Sequence, residues 1–179
     1  MSRIKLWDRY FTPFISQEDI AKRVAEMGTK LSMDYTGKRP VFVAVLNGSL
    51  HFASDLTRHF EEKCEISFVK YTSYQGMQST GKLQQVLGLQ ESVFGRHVIL
   101  LEDIVDSGLT LAGIFESIAA LDPLSIRTAT LLYKPKAMRY SVKPDYVGFE
   151  IGNEFVVGYG MDYNGLGRNM PGLYQALPL

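Results

Sequence analysis

Thirteen residues in the middle of the chain narrow its fold more than any other stretch: Val98-Ile99-Leu100-Leu101-Glu102-Asp103-Ile104-Val105-Asp106-Ser107-Gly108-Leu109-Thr110. His97 to Leu101 reads as a buried strand that delivers two adjacent acids, Glu102 and Asp103, to its carboxyl end. Glu102 to Thr110 reads as a loop, and Leu111 to Leu121 as the helix that follows. Free amides at a helix N-terminus form an anion site. Ser107 and Thr110 add hydroxyl donors there, and Gly108 lets the backbone approach a phosphate closely. Glu102 and Asp103 suit ribose hydroxyls or a hydrated Mg²⁺. A phosphate and a diol held together describe a ribose 5-phosphate. The plainer alternative is a helix capped by Asp106 or Ser107 beside a solvated acidic loop.

The flanking sequence supplies the rest of an α/β pattern. Ser16 is a cap for a helix on which Ile20, Val24, Met27 and Leu31 recur at helical spacing. Val41 to Leu46 is β-branched and apolar, a buried strand, and Asn47-Gly48-Ser49 turns the chain into a helix faced by Phe52, Ala53, Leu56 and Phe60. Glu65 to Tyr71 alternates as a strand, and Thr72 to Lys82 becomes polar and aperiodic, the mark of a functional lid. Further strands are expected over Arg127 to Tyr133, Asp145 to Phe149 and Phe155 to Gly158, with a mostly irregular tail from Asp162. Strand and helix in alternation imply a mainly parallel sheet flanked by helices on both faces, binding its ligand at the strands' carboxyl ends.

Composition removes several classes. Nineteen basic against nineteen acidic residues leave no basic face for nucleic acid. The longest apolar run, Val41 to Leu46, is too short for a bilayer, and the N-terminus lacks the apolar stretch of a signal peptide, so a cytoplasmic protein is expected. The single cysteine, Cys64, reads as a packed thiol, and His51, His59 and His97 show no metal-site spacing. Neither a G-x-x-x-x-G-K-[ST] nor a G-x-G-x-x-G after a strand occurs, which removes P-loop kinases and dinucleotide dehydrogenases.

Glu102 to Thr110 resembles the phosphoribosyl pyrophosphate motif of the type I phosphoribosyltransferases, in particular their hypoxanthine-guanine branch. Four more segments resemble that family in order: Leu46-Asn47-Gly48-Ser49 its pyrophosphate loop, Ser73 to Gly81 its mobile loop, Leu131 to Lys134 its base-reading strand, and Phe155 to Asn164, with Arg168 beyond, the hood over the purine. The resemblance implies one domain over residues 1–179, with a core over about 16–150 and a hood from the N-terminal segment and about 151–179.

It also implies transfer of a 5-phosphoribosyl group from phosphoribosyl pyrophosphate to N9 of hypoxanthine or guanine, with Mg²⁺. Asp106 would be the general base or acid at N7. Glu102 and Asp103 would hold the ribose, directly or through one Mg²⁺, and the amides of Asp106, Ser107, Gly108, Leu109 and Thr110 the 5-phosphate. Lys134, with donors only, suits a 6-oxo group and rejects adenine. Phe155 would stack on the base, the Val156 backbone would read its edge, and Asp162 would face the 2-position and a second Mg²⁺. Asn47, Gly48 and Arg168 would contact pyrophosphate, and Ser73 and Tyr74 would close over the reacting centre. Taken singly, Lys134 is a strand-end lysine, Phe155 a core residue and Asp162 a turn residue; their order beside the acidic loop gives them weight. Asn47 stands where the family commonly has lysine, which leaves a backbone role intact and removes a charged one. The family assembles as dimers and tetramers, so a homodimer or homotetramer is expected. The rival is a regulator on the same fold that senses phosphoribosyl pyrophosphate without catalysis, but Asp106, Lys134, Phe155 and Asp162 are all retained.

Overall fold

A short hairpin, β1 (Ile4–Leu6) and β2 (Arg9–Ile15), opens the computed structural model of the chain, which describes residues 3–73 and 83–178. Helix α1 (Gln17–Asp34) begins where expected: the Ser16 hydroxyl accepts from the Asp19 amide at 3.0 Å and donates to its carboxylate at 2.7 Å. These bonds satisfy one of the amides that a helix start leaves free. There follow β3 (Val41–Leu46), α2 (Leu50–Arg58), β4 (Glu65–Ser73), β5 (Leu83–Leu87), β6 (His97–Val105), α3 (Leu109–Ala119), β7 (Ser125–Tyr133) and β8 (Tyr146–Glu150). Two short strands, β9 (Val156–Val157) and β10 (Leu173–Ala176), end the chain.

Six strands form one sheet in the order β5-β4-β3-β6-β7-β8, parallel throughout except for β5, which runs antiparallel to β4. Alternation along β3 and β6 splits the core into two layers. Phe42, Ala44, Ile99 and Leu101 face α1 and α2, whereas Val41, Val43, Val98 and Leu100 face α3. The expected helices on both faces of a mainly parallel sheet are therefore present. A second sheet, β1-β2-β10-β9, joins the two ends of the chain above the carboxyl ends of the large sheet's strands and forms the hood.

One expectation needs correction, and two stretches gain structure that residue order did not mark. The run from Glu102 is not loop: β6 continues through Val105 because β7 pairs with it as far as Val105↔Tyr133, and α3 starts at Leu109. Leu83–Leu87, with no expected element, is a strand because β4 continues to Ser73 and offers it a partner. The tail is mostly irregular as expected, apart from Leu173–Ala176, which finds both β2 and β9 as neighbours. Tyr74 and the rest of the expected lid up to Lys82 lie outside the described residues.

Candidate active site

Two cavities and one loop meet at the carboxyl end of β6. The first, of about 210 Å³, is lined by Glu102 and by the turn from Asp106 to Leu111. Gly108 is the residue that caps α3, with φ of 83°, and no side chain caps the helix. Asp106 and Ser107 are therefore not its N-cap; the Leu109 amide donates to the Ser107 hydroxyl at a long 3.4 Å, and no side chain takes the amides of Thr110 and Leu111, which remain for an anion. A Cβ on Gly108 would come nearest the Met138 methyl, at 2.8 Å, the far end of a flexible side chain, so it is the positive φ that asks for glycine. Met138 and Tyr140 arrive on the segment after β7, held by the Arg139 amide donating to the Ser107 carbonyl at 2.9 Å.

The second cavity, of about 230 Å³, is lined by Asp103, Ile104, Asp106, Lys134, Phe155, Val156, Met161 and Asp162. It gathers the whole expected base-binding set with the expected acid-base residue. Lys134 donates to an Asp106 carboxylate oxygen at 2.9 Å, and its side chain is only 10% exposed against 52% for Asp106. The bond from the Lys134 amide to the Val105 carbonyl, at 2.9 Å, holds the end of β7 beside that of β6. Phe155 is 43% exposed, so it is no core residue; its ring is an open wall. The Ala176 amide donates to the Phe155 carbonyl at 2.8 Å, and strand alternation then turns the N–H and C=O of Val156 away from β10. β9 is the edge of its sheet, so those two groups are free to meet a ligand.

The third part is the loop after β3. The Leu46–Asn47 peptide is cis, and the Asn47 side chain is exposed. Gly48 lies against Asp103: a Cβ there would be 1.9 Å from the carboxylate. Gly160, with φ of 102°, lies against Gly48 in turn, and its Cβ would be 2.0 Å from the Gly48 carbonyl oxygen. Arg168 donates to the Gly160 carbonyl at 2.7 Å and pairs with Asp162. Asp162 also accepts from the Gly165 amide at 2.7 Å, so it is a turn residue as well as a cavity residue.

The electrostatics mark the acid pair as a place for positive charge. Glu102 is buried at 5% exposure, its Oε1 has no hydrogen-bond partner, and burial with the Asp103 charge beside it pushes its carboxyl well up. Burial lifts Asp103 from 3.8 to about 6, against hydrogen bonds from backbone amides and the Arg168 charge that pull it down. Among the described residues no three His, Cys, Asp or Glu side chains converge on one point. Glu102, Asp103 and Asp162 thus suit Mg²⁺ as an ion keeping several waters or ligand oxygens, with one or two carboxylates each, rather than a closed cage.

Asp103 has a consequence for stability. Between 3.8 and about 6 the folded protein holds a proton that the unfolded chain has lost. That contribution is complete below the lower value and disappears as pH rises through the upper one. Without metal, Asp103→Asn should therefore raise the melting temperature by a few degrees at about pH 7.5 and leave it unchanged at about pH 4. Thermal unfolding at the two pH values checks this; an equal effect at both would assign Asp103 no titration.

Residue order did not mark Ile104 and Met161 as cavity walls, because each reads as one more apolar residue. Nor did it mark Met138 and Tyr140, 30 or more residues from Gly108, although the positive φ of Gly108 and its neighbours makes that contact plain.

A family model described as "Phosphoribosyl transferase domain" matches residues 15–164. The hypoxanthine-guanine phosphoribosyltransferase of Bacillus subtilis (strain 168) is 40% identical over 158 residues, covering 88% of each chain. That of Streptococcus pneumoniae (strain R6) is 37% identical over the same share of both. A crystal structure of a hypoxanthine phosphoribosyltransferase from Staphylococcus aureus superimposes with a TM-score of 0.89 at 38% identity, covering 93% of this chain and 91% of the other.

Proposed function

Because the chain belongs to the phosphoribosyltransferase family, and within it groups with the hypoxanthine-guanine enzymes, we propose that it moves a 5-phosphoribosyl group from phosphoribosyl pyrophosphate to N9 of hypoxanthine or guanine. The N9–C1′ bond forms as the C1′–oxygen bond to pyrophosphate breaks. The observation that carries this reading is the Lys134–Asp106 pair in the cavity under Phe155. A buried donor and an exposed acceptor, side by side, match the O6 and N7 edge of a 6-oxopurine. The base exchanges one internal contact for two of its own.

Each residue then has a physical task. The amides from Asp106 to Thr110 hold the 5-phosphate at the start of α3, that of Leu109 giving up its 3.4 Å bond to the Ser107 hydroxyl to do so. Glu102 and Asp103 accept from the ribose hydroxyls. Asp106 takes or returns the N7 proton within hydrogen-bond reach. Phe155 stacks on the ring, and the free backbone of Val156 reads the edge opposite Lys134. Backbone groups of Asn47 and Gly48, with Arg168, receive pyrophosphate; since the Asn47 side chain is exposed, a backbone role suits it. Ser73 and Tyr74 close over the centre and keep water from the oxocarbenium-like carbon. Glu102, Asp103 and Asp162 would hold Mg²⁺, which would supply positive charge against the leaving pyrophosphate.

The wider setting follows. We infer one domain over 1–179 and a cytoplasmic location; no helix among the described residues is long and apolar enough to cross a membrane. A homodimer or homotetramer is supported by an open groove where Leu50, Ile66 and Phe68 are exposed between α2 and β4.

The test is pyrophosphate release from phosphoribosyl pyrophosphate and Mg²⁺ with each base in turn. Hypoxanthine and guanine should turn over, and xanthine poorly, because its 2-oxo group opposes the Asp162 carboxylate. Adenine should fail, because its 6-amino group meets a lysine that can only donate. Turnover of adenine at the rate of hypoxanthine would defeat the assignment of Lys134.

A further inference from the structure

We propose that Arg9, on the hairpin ahead of residues 15–164, is a positioning residue that sets the ring of Phe155 for base stacking. The proposal rests on the reading of Phe155 as the purine's stacking partner.

Alternation along β2 puts Arg9 and Phe11 on one face, and that face meets the aromatic pair of the hood. Phe11, Phe155 and Tyr163 form a triangle with centroids 6.3, 6.0 and 5.7 Å apart. The Arg9 guanidinium carbon lies 5.9 Å from the Phe155 centroid and 5.6 Å from that of Tyr163. Its Nε is buried and has no hydrogen-bond partner, and among the described residues no carboxylate pairs with it. With its Nε buried and unpartnered while the residue as a whole is half-buried, the guanidinium gains part of its compensation from the two ring faces. Asp8, the nearest acid in sequence, is taken by the Tyr163 hydroxyl at 2.7 Å. That bond ties the hairpin to the hood without using Arg9.

Phe155 lines the base cavity and Arg9 does not, so the ring stands between the cation and the base. An exposed phenylalanine would otherwise sample several rotamers, and each base would have to order it on binding. Arg9 removes that ordering cost before the base arrives. Its loss should therefore weaken the base and spare the chemistry.

Arg9→Met keeps the length of the side chain and removes its charge. The expected result is a KM for hypoxanthine raised about 3- to 20-fold, with kcat and the KM for phosphoribosyl pyrophosphate within about 2-fold of wild type. Arg9→Lys should restore most of the loss. Two further signals separate positioning from folding. Ring-labelled phenylalanine, assigned by Phe155→Leu, should show one ordered Phe155 ring in the wild type and an averaged one in Arg9→Met. The single tryptophan, Trp7, donates its indole N–H to the Asn164 carbonyl at 3.3 Å, so its one indole signal reports that the hairpin is still docked. An unmoved KM with an unmoved ring overturns the proposal. So does a shifted indole signal with both KM values raised, which would make Arg9 a folding residue only. If the wild type turns over no 6-oxopurine, the functional reading fails by itself, and the ring signal alone decides whether Arg9 orders Phe155.

Discussion

Asp106→Asn should lower kcat on hypoxanthine by about two to four orders of magnitude while changing the KM for the base little. The reasoning is geometric. Asparagine keeps the size of the side chain and an oxygen that can accept from Lys134, now bonded to Asp106 at 2.9 Å. The lysine stays placed for O6, and the cavity keeps its walls. What disappears is a group able to take up and return a proton at N7. Initial rates of pyrophosphate release over a range of hypoxanthine concentrations separate the two parameters. Loss carried by KM with kcat intact would make Asp106 a binding residue. Loss of both to similar degrees would mean that the pair with Lys134 does more to shape the cavity than the distances imply.

Gly160→Ala should be among the most damaging single-carbon changes in the described residues. Two costs add. At φ of 102° an alanine is strained anywhere, and here its methyl group would be 2.0 Å from the Gly48 carbonyl oxygen, a backbone atom with no rotamer to move into. We expect a loss of about 2–4 kcal/mol and a melting temperature about 5–15 °C lower. The displaced loops should also cost at least about 100-fold in kcat/KM, the usual effect of a misplacement of about 1 Å. Gly165 supplies the control, since it also has a positive φ, 86°, but nothing lies within 4 Å of its missing side chain. Gly165→Ala should therefore show the strain alone, about 1 kcal/mol, and keep nearly full activity. Equal effects at the two glycines would remove the case for a contact between the hood and the loop after β3. Calorimetry and kinetics on the pair decide it.

How far residue order reached, and where it stopped, has a physical pattern. The acid pair and the Asp106-Ser107-Gly108 turn were legible because each depends on its own neighbours: a buried strand, a backbone that needs glycine, a helix that needs a start; Lys134 read singly as a strand-end lysine and gained weight only from its order after them. Structure whose partner lies far along the chain was not. β6 extends to Val105 only because β7 is there to pair with it, and Leu83–Leu87 is a strand only beside the extended end of β4. The four residues of β10 have no periodicity to read, and they fold as a strand because β2, drawn from the other end of the chain, leaves an edge open. Arg9 was beyond reach for the same reason: nothing near it in sequence tells that its charge faces two rings some 150 residues away.

The stacking of Gly160 on Gly48, and of Gly48 on Asp103, bears on the order of events as well as on shape. The chamber for the base and the seat for pyrophosphate share a partition one backbone thick. If base and pyrophosphate bind as proposed, what settles on one side would bear on the height of the other, and the two occupancies would be linked by the same factor whichever ligand comes first. Departure of pyrophosphate would then remove its part of that linkage and loosen the roof over the finished nucleotide.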